Sequence, residues 1–209
     1  MTSAAIPIYD RRFDELLAEA VRFHGDVCPG QVLGVRMAIA GCREIGVADP
    51  RGAGKALVVI VEIDRCPTDA IQALTGVSLG KRTLRYVDFG KTAATFVNRD
   101  TGVSVRVAAL DTARDVARRL VPGALDPRRA QIVAYRDMAE ARLIRIESIV
   151  VSPEWLDRPR VRVACDRCGE GITYEREVRM GSRVLCRACA GDRYYTYDAG
   201  HTDRAARSA

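Results

Sequence analysis

The chain has 209 residues, of which 48% are hydrophobic and 29% charged, with a formal net charge of +6. That is ordinary globular composition, and it excludes a mostly disordered or fibrous protein. No apolar run approaches the ~20 residues of a membrane-spanning helix, and the N-terminus lacks a basic segment followed by an apolar one. The expectation is therefore a cytoplasmic prokaryotic protein with no membrane partner.

The first periodic segment is RRFDELLAEAVRF at 11–23, which sets Phe13, Leu16, Leu17, Ala20 and Val21 on one helical face and stops at Gly25. A second helix is expected from Pro29 to Glu44, with proline at its first position and Gly46 beyond its end. Asp49–Gly54 reads as a loop, and Ala56–Ile63 (ALVVIVEI) as a buried strand. Pro67 opens a short helix closed by Gly76. Strands are expected at Leu84–Asp88, Ala93–Asn98, Val103–Ala109 and Leu143–Val151. Asp111 or Thr112 caps a helix to Leu120, and Asp126 before Pro127 caps another through about Met138. Helices and hairpin strands mix without a regular βαβ rhythm, so the fold class is α+β.

After Val151 the composition changes. The expected organisation is a core domain at 1–151, a linker at 152–160, a four-cysteine module at 161–197 and a disordered tail at 198–209. Two C-x2-C pairs, Cys165/Cys168 and Cys186/Cys189, are separated by seventeen residues. Four thiolates at that spacing close a tetrahedral zinc site with no open position, so the zinc is structural; iron is the competing metal. Gly169 suits the knuckle turn and Gly181 a hairpin between the pairs. A segment of roughly 40 residues is too short to build a core unaided, and the metal supplies what packing lacks.

The second chemical signal is Phe23-His24-Gly25-Asp26-Val27-Cys28-Pro29-Gly30. Pro29 at the first helical position makes Cys28 the helix cap, where amides and the dipole favour a thiolate. Asp64-Arg65-Cys66-Pro67-Thr68-Asp69 repeats the logic at a strand-to-helix transition. Two capping cysteines, His24 and nearby carboxylates can converge on a soft-metal or thiolate site. Asp26, Asp69, Gln72 and Lys91 are the accompanying candidates for cofactor binding, against the alternative of a solvated surface. Cys42 belongs to the packed helix interior. Tyr194, Tyr195 and Tyr197 are expected to pack over the zinc module rather than stack on bases.

Residues 151–209 hold eleven arginines and nine acidic groups, and four zinc-bound thiolates would bring the segment to about neutral. No run of five Lys/Arg occurs, which weighs against a nucleic-acid partner. There is no Rossmann, Walker, G-x-S-x-G or H-E-x-x-H motif.

The stretch FHGDVCPGQVLGVRMA resembles the opening motif of the FmdE family, named for its link to molybdenum formylmethanofuran dehydrogenase. CPTDAIQALTGVSLGKRTLRYVDFGKTAATFVNRDTGVSVRV resembles its second signature, and CDRCGE with LCRACA resembles the zinc finger that many members carry. The resemblance spans roughly residues 12–190. It implies an antiparallel sheet flanked by helices, a treble-clef or ribbon-like zinc module and a homodimer. It also implies an active or metal site at His24, Cys28 and Cys66. Asp26 stands where the family carries a second histidine, and Val77 where a cysteine is typical, which removes one soft ligand.

Three functional readings follow. One is a metal- or cofactor-binding accessory protein, holding a second metal in the core and serving a molybdenum or tungsten redox enzyme. Another is an enzyme with Cys28 as nucleophile, His24 as base and Asp26 or Asp69 in support. The third is a zinc-module adaptor or nucleic-acid binder with an inert core.

Overall fold

A computed structural model describes residues 6–123, 126–157 and 159–196. The chain divides into two compact units, Met1–Val151 and Ser152–Ala209. The tail expected at 198–209, like Tyr197, lies outside the described residues.

In the first unit a single 3-10 turn at Ile8–Asp10 precedes α1 (Phe13–His24) and α2 (Pro29–Glu44). Gly25 ends α1 at a φ of 109°, a conformation open to glycine alone among common residues. β1 (Leu57–Val61) leads into α3 (Cys66–Thr75) and β2 (Leu84–Tyr86). β3 (Ala93–Asn98) and β4 (Ser104–Ala109) form a hairpin. Then come α4 (Ala113–Leu120), α5 (Pro127–Asp137), the single turn α6 (Glu140–Leu143) and β5 (Ile144–Ser148). Asp126 caps α5 as expected, accepting the Arg128 N–H at 2.9 Å.

The five strands make one sheet in the order β2-β1-β3-β4-β5. Three pairings are antiparallel, but β1 and β2 run parallel. The reason is local: α3 carries the chain from the end of β1 back to the start of β2, a βαβ crossover. One face of the sheet packs Leu57, Val59, Val61, Ala94, Phe96, Val105 and Val107 into the main core with α1 and α2. A Cβ at Gly41 of α2 would fall inside the Phe96 ring, so this glycine sets how closely the helix lies on β3. Cys42, fully buried beside it, has its thiol pushed up to about 12 by burial and is inert, as expected.

The second unit begins with the single turn α7 (Pro153–Leu156) inside the stretch expected as linker. It is otherwise two hairpins: β6 (Arg162–Ala164) with β7 (Gly171–Thr173), and β8 (Val178–Met180) with β9 (Arg183–Leu185). Gly181 sits in the β8–β9 turn at a φ of 61°. Among the described residues no helix follows Cys189, so the module is a ribbon of hairpins.

Candidate functional site

α2 and α3 approach each other closely because Gly30 and Gly34 lie one helical turn apart and face the start of α3. A Cβ at Gly30 would stand 2.7 Å from Cys66 Cβ, and one at Gly34 would stand 2.5 Å from the Pro67 carbonyl. No larger side chain fits without displacing backbone. This contact brings the starts of both helices together, with Cys28 as N-cap of α2. Cys66 is the first residue of α3, with Arg65 as the cap, so only one of the two cysteines expected to cap a helix does so. Gln31, fully buried, donates its side-chain amide to the Cys66 carbonyl at 2.6 Å and fixes the register of the two ends.

α1 delivers the third group. His24 is its last residue, and the turn through Gly25–Val27 folds the imidazole back over Cys28. The Cys28, Cys66 and His24 ligand atoms all lie within 4.8 Å of one another, with Cys28 Sγ 3.8 Å from His24 Nε2. His24 Nδ1 lies 2.8 Å from Asp69 Oδ2 on the first turn of α3. A carboxylate on Nδ1 holds the proton there and leaves Nε2, the nitrogen facing the sulfurs, free to coordinate or accept a proton. The two thiols influence each other: burial, and then the adjacent Cys28, push the Cys66 thiol up. Two sulfurs this close resist a second negative charge unless a cation joins them.

The candidates of the sequence sort clearly. Asp69 holds the histidine. Asp26 reaches only His24, at 3.5 Å from Nε2, and its side chain is 69% exposed. Gln72 lies a turn further along α3, half-buried, where its carbonyl accepts the Gly76 N–H of the helix cap. Val77 lies past the other end of α3, buried in the main core, about 15 Å of helix rise from Cys66. Its replacement of a cysteine therefore takes no ligand from this cluster.

Cys28 and Cys66 form part of the wall of a cavity of about 860 Å³ at one end of the sheet. There β1 ends at Ile63, β3 begins, β4 ends and β5 begins. Lys91 is in that wall, held by its own N–H to the Glu62 carbonyl. Opposite are Arg114 on α4 and Arg128, Gln131 and Tyr135 on α5. Sequence reasoning missed Gln31, Arg114 and Arg128. Gln31 left one trace, a lone amide in the apolar PGQVLG helix start; the arginines read as solvated helix faces.

In the C-terminal unit Cys165, Cys168, Cys186 and Cys189 offer sulfurs within 4.8 Å of one another. Cys168 and Cys186 Sγ stand 3.9 Å apart. Two sulfurs on one tetrahedral zinc at ~2.3 Å are separated by about 3.8 Å, so the residues fit the ion. Burial raises Cys168 to about 12, while backbone N–H groups of Cys168, Cys186 and Arg167 outweigh burial at Cys165 and hold it near about 6. The Cys186 N–H points at Cys165 Sγ at 3.2 Å and the Cys189 N–H at Cys186 Sγ at 3.4 Å. Tyr194 does not pack over this site: it is 98% exposed and touches Tyr195 edge-on, beyond the last hairpin.

Residues 23–150 match the family described as FmdE, molybdenum formylmethanofuran dehydrogenase operon. Residues 159–195 match the prokaryotic dksA/traR C4-type zinc finger. A curated protein of Archaeoglobus fulgidus, named a probable S-adenosyl-L-methionine-binding protein, is 31% identical over 210 residues. The match covers 88% of this chain and 54% of that protein, so the chain spans about half the length of this relative. A solved structure, an FmdE-like protein of tungsten formylmethanofuran dehydrogenase from Syntrophus aciditrophicus, superposes with a TM-score of 0.62 at 22% identity. It covers 93% of this chain and 100% of its own, and at that identity the likeness shows the fold.

Proposed function

The chain belongs to the FmdE family and carries a C-terminal C4 zinc finger, and from that premise we propose a metal-binding accessory function. The core holds a second metal at His24, Cys28 and Cys66 and presents it to a ligand in the adjoining cavity. The protein acts as a homodimer alongside a molybdenum or tungsten redox enzyme of the formylmethanofuran or formate dehydrogenase type. The observation that supports this most is the convergence of two sulfurs and an imidazole nitrogen within 4.8 Å at a cavity wall. Asp69 on the far ring nitrogen is the usual partner of a metal-bound histidine. Two thiolates and an imidazole suit zinc or another soft ion, which would supply Lewis acidity or a site for a sulfur or oxygen ligand. The residues do the rest: Gln31 fixes the α3 start, Asp69 fixes the ring and Asp26 lies within reach of it. The relative's name adds S-adenosyl-L-methionine as a ligand to try in a cavity of this volume.

Metal content per chain after anaerobic purification, by inductively coupled plasma mass spectrometry, tests the proposal. The intact protein is expected to hold two metals, and Cys28→Ala one. One zinc in both sinks the proposal and favours the second reading. That reading has a geometric basis of its own: Cys28, His24 and Asp69 are ordered as nucleophile, base and orienting carboxylate. Protection of Cys28 from alkylation by a substrate rather than by a metal would then identify it.

A further inference from the structure

The cavity wall is cationic beyond what the fold uses. Arg106 is committed to Glu62 through two short contacts, 2.6 and 2.8 Å, and reaches Glu147 at 3.3 Å. Arg145 is paired with Glu147 as well. Arg65, Lys91, Arg114 and Arg128 also line the cavity. Among the described residues none of these four has a carboxylate partner within salt-bridge distance. Asp111 is the one acidic residue of the wall. Four unpaired cations around one space repel each other, and the fold gains nothing from holding them there.

Two further features add positive potential. α2, of 16 residues, and α3, of 10, both begin at this cavity, with Pro29, Gly30, Cys66 and Pro67 in its wall. Their positive dipole ends point at whatever occupies it. The far wall is also organised for polar contact: Arg128, Gln131 and Tyr135 fall on one face of α5 at helical spacing. Burial raises the Tyr135 phenol, and Arg114 opposes it, which places that guanidinium close to the phenol.

We propose that this cavity binds a small organic oxyanion, with its phosphate or carboxylate group on Arg114, Arg128 and Lys91. Guanidinium forks suit such groups because two parallel N–H donors meet two oxygens. The opposite end of the ligand faces the His24–Cys28–Cys66 cluster, and that orientation alone rests on the metal-site reading above.

The test is isothermal titration calorimetry on the full chain with two probes, inorganic phosphate and succinate. One site per chain is expected, weakening with added salt. Arg114→Gln with Arg128→Gln should weaken it tenfold or more while thermal melting stays unchanged. Cys28→Ala with Cys66→Ala should leave it in place. Arg119→Gln with Arg129→Gln, outside the cavity, should also leave it in place. Tighter phosphate assigns a phosphoryl ligand and tighter succinate a carboxylate one; either supports the inference. Three outcomes overturn it: no binding of either anion, loss with the cysteine pair but not with the cavity arginines, or equal loss with the outer arginines. If both anions fail while two metals are present, the anion site falls and the metal reading stands. If the anion binds and only one metal is found, the reverse holds.

Discussion

Four sulfurs surround one point between residues 165 and 189, whereas the core offers two sulfurs and an imidazole beside a cavity of about 860 Å³. The surroundings differ as sharply. In the C-terminal unit the buried cluster is Cys165, Ile172 and Leu185, so among the described residues two aliphatic side chains are all that packs there besides a ligand. In the first unit the sheet and helices pack Leu16, Leu57, Ile71 and Phe96 fully out of water without any help from the cluster. The contrast teaches how to tell a structural metal site from a working one. The closed site replaces a missing core; the open one is carried by a core that already exists, and holds its ligands at helix starts in the wall of a cavity.

The largest effect should come from breaking the closed site. Cys168→Ser, or zinc removal with a strong chelator, should unfold the C-terminal unit, because structural zinc contributes on the order of 10 kcal/mol in such modules. Limited proteolysis should then digest residues beyond Val151 and spare the first unit. Survival of the C-terminal segment without metal would show that its three buried side chains suffice, and would erase the contrast.

Next is the seam between α2 and α3. Gly34→Val places a side chain 2.5 Å from the Pro67 carbonyl and 2.7 Å from Ala70 Cβ. Overpacking of this kind costs about 1–3 kcal/mol, a melting drop of several degrees. The core metal should be lost as the helix starts separate, with the C-terminal zinc retained. A stable Gly34→Val protein with both metals would mean that the cluster does not depend on this close approach.

These sites were unequally legible in the sequence. The zinc knuckles follow from ligand spacing, and the α2 bounds from Pro29 and the glycine after its end, because both are local rules. The β3 bounds, Ala93–Asn98, likewise coincide with the apolar run between two turns. The parallel β1–β2 pair was not legible: β2 has three residues, and its partner is set by where α3 returns the chain. Arg114 and Arg128 were invisible for a related reason. Each sits on an ordinary polar helix face, and only the meeting of α4, α5 and the sheet end turns those faces into a wall. His24, Cys28 and Cys66 lay between: residue types and helix starts suggested convergence, but the contact that achieves it is made by two glycines and by Gln31.

A smaller effect belongs to Asp69. Its bond to His24 Nδ1 at 2.8 Å orients the ring without touching the metal position. Asp69→Ala should weaken core metal affinity ~10–100-fold, with thermal stability and zinc content unchanged. Asp69→Asn, which can still accept from Nδ1, should recover part of the loss. An unchanged affinity in Asp69→Ala would mean that the ring is held by the sulfurs alone.

The smallest effect, and the sharpest test of the contrast, belongs to Asp26. Its carboxylate is 69% exposed and lies 3.5 Å from His24 Nε2, on the nitrogen that faces the sulfurs. It touches the histidine but does not belong to the group of atoms that lie within 4.8 Å of one another. Taking part in coordination would require it to give up water and swing inward, a gain offset by its loss of solvation. Asp26→Ala should therefore change core metal affinity only a few-fold, measured by competition with a chromophoric chelator. A loss as large as that of Asp69→Ala would make Asp26 a fourth ligand. The core site would then be as closed as the zinc site, and the cavity beside it would have to bind its ligand without the metal.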